Sequence, residues 1–165
     1  MAADLVWTSM TELARLIATK AVSPVEVVRA HLDRITTHDG SLKAYITVCG
    51  DRALDAARAA EAALTAGGAL PPLHGVPYAL KDLYDTAGLK TTGGSRIFAE
   101  RVPATDATVV TRLAQAGVIL LGKLNMVEFA YGPEGLNIHY GHARNPWGGD
   151  THRLTGGSSS GAGAA

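Results

Sequence analysis

Residues 154–165 read LTGGSSSGAGAA. Three consecutive serines flanked by glycines suit a flexible linker. They equally suit a place where backbone and hydroxyls crowd around a reacting group, because glycine lets the chain come close. Just upstream lies Asn145-Pro-Trp147, which reads as an ordered loop, and the last residues turn alanine-rich, as a buried helix would begin. A glycine loop opening a helix is an anion-binding shape, since the first N–H groups of the helix are free. It is not a phosphate-binding P-loop: Gly156 and Gly161 have that spacing, but Ala162 stands where lysine is required. No strand immediately precedes it, so it is not a dinucleotide fingerprint either. Linker and functional loop both stay open on this stretch alone.

Working back along the chain, Ser9-Met-Thr-Glu12 has the form of a capping box, and Leu13, Leu16 and Ile17 follow at helical spacing to about Thr19. Ser23-Pro24-Val25-Glu26 is a clearer helix start, with proline at the first helical position. Val25, Val28, Leu32 and Ile35 form its apolar stripe, and Gly40 is expected just past its end. Tyr45 to Cys49 reads as a short strand. Asp51 to Ala66 reads as a helix stopped by Gly67-Gly68. His74 to Asp82 reads as a strand entering a loop, and Thr91 to Pro103 as irregular. Asp106 is expected to cap a helix with Val109, Val110 and Leu113 inward and Gly117 as its stop. Val118 to Leu121 is a buried strand, Asn125 and Glu128 cap a brief helix through Ala130, and Tyr131 to Gly157 is a long surface loop. Helix and strand alternate from about residue 51, so the expected class is α/β, a sheet with helices on its faces.

Composition excludes several functions. Apolar residues make up 47% and charged residues 18%, a globular balance. Lys+Arg and Asp+Glu are both 15, so no global field favours nucleic acid or an anionic membrane. Cys49 is the one cysteine and cannot form an internal disulfide. MAADLVWTSM lacks a basic flank followed by an apolar core, so no signal peptide is expected. The longest aliphatic run, Val118 to Leu121, is too short to span a bilayer. A soluble, cytoplasmic protein is the expectation.

Three groups invite chemistry. Lys81 sits in Val-Pro-Tyr-Ala-Leu-Lys-Asp-Leu-Tyr, the most apolar setting of any lysine here with Lys123 as its rival. A lysine is ordinarily a solvated surface charge. Burial would lower its pKa and make it a general base, unless Asp82 opposes that by pointing the same way. His139 and His142 lie three apart, but no further ligand stands at metal-site spacing, so they read as loop histidines without a metal. Cys49 reads as core, and no Gly-x-Ser-x-Gly elbow is present.

Gly75-Val-Pro-Tyr-Ala-Leu-Lys-Asp82, followed at long range by Gly156-Gly-Ser-Ser-Ser-Gly161, resembles the amidase signature family. Gly117 to Ala130 is similar to that family's strand and following helix, Asn145-Pro-Trp147 to its loop into the serine motif, and Ser9 to Ile35 to its N-terminal helices. The resemblance implies a mixed sheet flanked by helices and amide hydrolysis by a Ser–Ser–Lys triad, with no metal or cofactor. By it, Lys81 is the neutral base and Ser158 the relay serine, following a cis peptide bond after Gly157 in the Gly156-Gly157 pair. Ser159 would support the network by hydrogen bonding, and Tyr131 and Gly132 would line the substrate cleft. Thr155 stands where many members carry proline, and Ser160 where many carry glycine.

In the family the nucleophilic serine lies roughly two dozen residues beyond the relay serine, in a second glycine-rich loop that also supplies the oxyanion hole. This sequence runs seven residues past Ser158. The expectation is therefore that residues 1–165 are the N-terminal portion of a single domain, with a helical start over 9–36 and the α/β part from about 44. On that expectation the fold is truncated after the relay-serine loop and inactive alone. The implied partner is a small-molecule amide, with a homodimer left open and no membrane or nucleic acid. Nucleic acid enters only on the rival reading, the A subunit of a tRNA-dependent glutamyl/aspartyl amidotransferase, which belongs to the same family. Tyr131-Gly-Pro-Glu134 is bulkier than that rival would suggest and leans toward a free-standing amidase. A non-catalytic remnant or binding module is the remaining alternative.

Overall fold

Three strands form one sheet, and two hydrogen bonds mark the ends of a parallel pair within it. The structure, a computed structural model, describes residues 5–165. The signal-peptide reading falls partly on residues 1–4, which lie outside the described residues. Strands β1 (Tyr45–Val48), β2 (Pro77–Lys81) and β3 (Ile119–Leu124) form a sheet in the order β1-β3-β2. β1 runs antiparallel to β3, with Tyr45 opposite Leu124 and Val48 opposite Gly122. Ile119 N donates to Val76 O and Asp82 N to Leu124 O, so β2 and β3 advance together as parallel neighbours. Parallel strands need a crossover, and α4 (Thr108–Gln115) lies within it. The sheet is mixed, as the resemblance implied.

The chain divides into two units. Among the described residues, the first comprises 5–37, 49–78 and 111–121. Helix α1 (Met10–Ala18) starts at Ser9, whose Oγ accepts from Glu12 N at 3.3 Å. Glu12 does not close the expected box; its carboxylate pairs with Arg15 instead. Helix α2 (Pro24–Leu42) does have the full box: Ser23 Oγ accepts from Val25 N, and Glu26 Oε2 accepts from Ser23 N at 2.9 Å. Helix α3 (Gly50–Ala66) stops at Gly67, whose φ of +80° suits glycine. Two apolar clusters fill this unit. Leu13, Ile17, Val27, Leu64 and Val76 make one; Val28, Ala53, Ala57, Ile119 and Leu121 make the other. Cys49 is buried just past β1, at the cap position of α3.

The second unit comprises residues 38–48, 79–110 and 122–165. Here the structure corrects four expectations. Helix α2 runs through Gly40 to Leu42, because Asp39 Oδ1 accepts from Ala44 N and Tyr45 N and holds the turn beyond the helix end. Asp106 Oδ1 accepts from Ala87 N rather than serving as the expected cap, and Val109 is exposed. Asn125 starts no helix. Its side chain ties Lys43 O, Gly141 O and Met126 N together, and 128–130 is a single 3₁₀ turn. The 131–157 segment is not all surface: Asn137 and Ala143 are buried, and Arg144 bridges to Leu154. The expected final helix is present as α5 (Ser160–Ala164).

Candidate active site

Lys81 is the last residue of β2, and Leu124, the last residue of β3, receives the hydrogen bond from the next residue, Asp82. The segment that leaves β3 therefore starts beside Lys81. That segment grips the serine run at two points. Val127 N donates to Ser158 O at 3.0 Å, and Gly161 N donates to Asn125 O at 2.8 Å. A third bond joins Gly157 N to Pro133 O at 2.7 Å. The Gly157–Ser158 peptide is cis. A Cβ on Gly157 would lie 2.8 Å from Gly135 N and 2.9 Å from Val127 Cγ2, so only glycine lets the two loops approach this closely.

The result brings together two residues 77 apart in sequence. Lys81 Nζ donates to Ser158 Oγ at 2.6 Å. Burial lowers the Lys81 pKa below its ordinary 10.5, because a charged ammonium loses hydration there. Asp82 does not oppose this. Successive side chains of a strand point to opposite faces, and Asp82 is fully buried with Oδ2 accepting from Thr92 N at 2.9 Å and Thr92 Oγ1 at 2.5 Å. Its Oδ1 lies 3.3 Å from Nζ of Lys123, which is itself completely buried on β3.

The remaining candidates are placed as follows. Ser159 is exposed, and it braces α5 through its carbonyl, which accepts from Ala162 N and Gly163 N; its hydroxyl makes no hydrogen bond among the described residues. Gly156 has φ +78° and Gly132 φ +144°. Tyr131 is 92% exposed at the rim of a cavity of about 560 Å³, walled by Val127, Phe129, Leu136 and Ile138 with Glu128 and Asn137. His139 and His142 do not share a ligand. His139 Nε2 meets Glu128 Oε1 at 3.0 Å, and His142 Nδ1 accepts from Asn137 N. Ser95 Oγ donates to the same Glu128 oxygen at 2.5 Å, and these bonds hold the Glu128 pKa below its ordinary value. Neither this Glu128–Ser95–His139 cluster nor the Asp82–Lys123 pair is foreseen from the sequence. A lysine inside an otherwise aliphatic strand, Ile-Leu-Leu-Gly-Lys-Leu, is the one available signal for the pair.

Comparison with known proteins gives the family and the fold. The amidase family model matches residues 26–165. The A subunit of the glutamyl-tRNA(Gln) amidotransferase from Acidothermus cellulolyticus is 50% identical over 162 residues, which is 98% of this chain and 32% of that protein. Among solved structures, the peptide amidase from Stenotrophomonas maltophilia superposes with a TM-score of 0.86 at 32% identity, covering 96% of this chain and 33% of that one. A chain from a vestigial protein complex that reveals the evolutionary origins of an s-triazine catabolic enzyme superposes at 0.90 with 42% identity, covering 96% and 34%. The chain spans about a third of the length of the relatives it matches. On the family model's match across most of its length, the chain belongs to the amidase signature family.

Proposed function

We propose that this chain supplies the base and the relay of a Ser–Ser–Lys amide hydrolase. The observation that carries the reading is the 2.6 Å bond from a half-buried Lys81 to Ser158. A lysine whose ammonium is disfavoured by burial is neutral in a larger fraction of molecules at a given pH, and only the neutral amine can take a proton. Lys81 takes the Ser158 proton, and Ser158 takes one from a nucleophilic serine, which attacks the amide carbonyl. Backbone N–H groups stabilise the oxyanion, and the relay returns a proton to the departing ammonia or amine. Water then clears the acyl-enzyme. The nucleophile and oxyanion donors are assigned by family resemblance to sequence beyond Ser158's own loop. Gly156 and Gly157 bring that loop into contact with Val127 and Gly135, and Ser159 braces it through its carbonyl.

The substrate is a small carboxamide. Phe129, Leu136 and Ile138 line the cavity beside Tyr131 and Gly132, and their apolar surface suits an apolar acyl group better than a charged one. A second reading has its own support: the curated relatives at 50% identity are A subunits of glutamyl-tRNA(Gln) amidotransferases. On that reading the donor amide is glutamine, and further protein partners and tRNA are required.

The test is ammonia release by the protein expressed from its complete reading frame. Apolar carboxamides and glutamine are offered separately, glutamine also with the amidotransferase partner proteins and glutamyl-tRNA. Lys81→Ala and Ser158→Ala should each lower turnover by on the order of 10³-fold or more. Wild-type turnover in either variant refutes the assignment. Turnover of glutamine only in the presence of the partners selects the second reading.

A further inference from the structure

The cavity beside Tyr131 carries a charge that the Lys81–Ser158 relay leaves unused. Its walls are mainly Phe129, Leu136 and Ile138, yet Glu128 also lines it. Val127 joins the cavity to the serine run: it is a wall residue, and its N–H donates to Ser158 O at 3.0 Å. An occupant of the cavity therefore lies against a residue that holds Ser158 in place.

Glu128 and Asn137 differ in what they have left to offer a ligand. Asn137 is spent: Nδ2 donates to Gly94 O and Met126 O, both at 2.7 Å, and Oδ1 accepts from His139 N and Tyr140 N. Glu128 is half spent. Its Oε1 accepts from the buried Ser95 hydroxyl at 2.5 Å and from His139 Nε2 at 3.0 Å. An ionised carboxylate has only lone pairs, so Nε2 carries the proton of that bond. The Ser95 bond, with the His139 bond beside it, keeps the carboxylate ionised. Oε2 accepts no hydrogen bond among the described residues.

The neighbouring ring suits the same ligand as the carboxylate. Phe129 has φ +50° and Ala130 φ +60°, a left-handed backbone that a bulky side chain rarely adopts. Such a conformation persists only where the surroundings enforce it. Here Phe129 N donates to Gly93 O at 2.8 Å, and the ring meets Phe98 edge-on at 5.7 Å. Arg101, the cation over Phe98, is already held by both Asp85 oxygens. A carboxylate and an aromatic ring in one wall recognise an organic ammonium, by a charge-assisted hydrogen bond and a cation–π contact.

We propose that the cavity selects amides whose apolar acyl group ends in an ammonium, with Glu128 Oε2 accepting its N–H beside the Phe129 ring, and rejects those ending in a carboxylate. This rests on the hydrolase reading and narrows it: the apolar walls fit the body of the acyl group, and Glu128 sets the one charge that group carries.

The test measures binding and needs no turnover. The protein expressed from its complete reading frame is titrated at pH 8 with hexylamine, hexanol and hexanoate, three chains of one shape and different charge, and affinities are read by NMR. Hexylamine should bind about tenfold tighter than hexanol, with hexanoate weakest. Glu128→Gln keeps the shape and removes the charge, and should bring hexylamine to within about twofold of hexanol. In the wild type, intermolecular NOEs from the hexylamine methylenes to the Phe129 ring should place the ligand without any substitution. Hexylamine bound no tighter than hexanol, absent NOEs, or a folded Glu128→Gln that keeps the full preference overturns the proposal. Failure of the hydrolase reading would leave this order of binding intact and appear as missing ammonia release.

Discussion

Gly161→Ala tests how the serine run is seated. Gly161 is buried in the first turn of α5, and its N–H donates to Asn125 O at 2.8 Å. A Cβ there would lie 2.6 Å from Asn125 N and 2.9 Å from Asn125 O, and would overlap Ala44 O. All three are backbone atoms, so no side chain can rotate away. Overpacking of this kind costs about 1–3 kcal/mol. Weakening the bond to Asn125 adds about 0.5–1.5 kcal/mol. The better helix propensity of alanine returns about 1 kcal/mol. The net expectation is a loss of about 0.5–3.5 kcal/mol. In urea, with a slope of about 1–3 kcal/mol/M, the unfolding midpoint should fall by about 1 M. Gly40→Ala is the control. Gly40 lies within α2 with nothing within 4 Å of its would-be Cβ, so alanine should raise the midpoint by the equivalent of about 0.5–1 kcal/mol. An unchanged midpoint in Gly161→Ala, or equal losses in both variants, would refute the packing argument.

Two further outcomes are expected. Ser23→Ala removes the capping hydroxyl of α2 and its bond to Glu61, and should lower stability by about 0.5–2 kcal/mol in the same urea assay, with Thr at this position retaining most of it. Burial, assisted by the charge of Asp39, pushes the Tyr45 pKa up to about 12. Between pH 10 and 12 the unfolded chain loses this proton first, so the folded state binds more protons and stability falls as pH rises. Tyr45→Phe should flatten that fall; a slope unchanged by the substitution removes Tyr45 as its cause.

Much of the fold is legible in the sequence wherever a local signal has no competitor. Ser23-Pro-Val-Glu marks the α2 start because all three capping residues agree, and Gly67 marks the α3 end because the backbone there needs positive φ. The Lys81–Ser158 pairing is legible only through resemblance, since no local pattern joins residues 77 apart. What stays hidden is polar and buried. Asn125 and Asn137 look like loop residues in sequence, yet each spends its side-chain amide on backbone groups of distant segments. Gly40 looks like a helix stop, but the carboxylate of Asp39 outweighs it by fixing the turn beyond Leu42. Lys123 looks like the polar end of a strand, and only the fold shows that Asp82 waits opposite it.

The protonation state of Lys81 decides whether it serves as the base. The direct measurement is the titration of its ε-methylene resonance in the folded protein, ¹³C-labelled at lysine and assigned with Lys81→Arg. The expected midpoint lies below 10.5, so that a larger neutral fraction than that of a free lysine faces Ser158. A midpoint at or above 10.5 would mean that Lys81 is an ordinary ammonium donating to Ser158, and would contradict its role as the base.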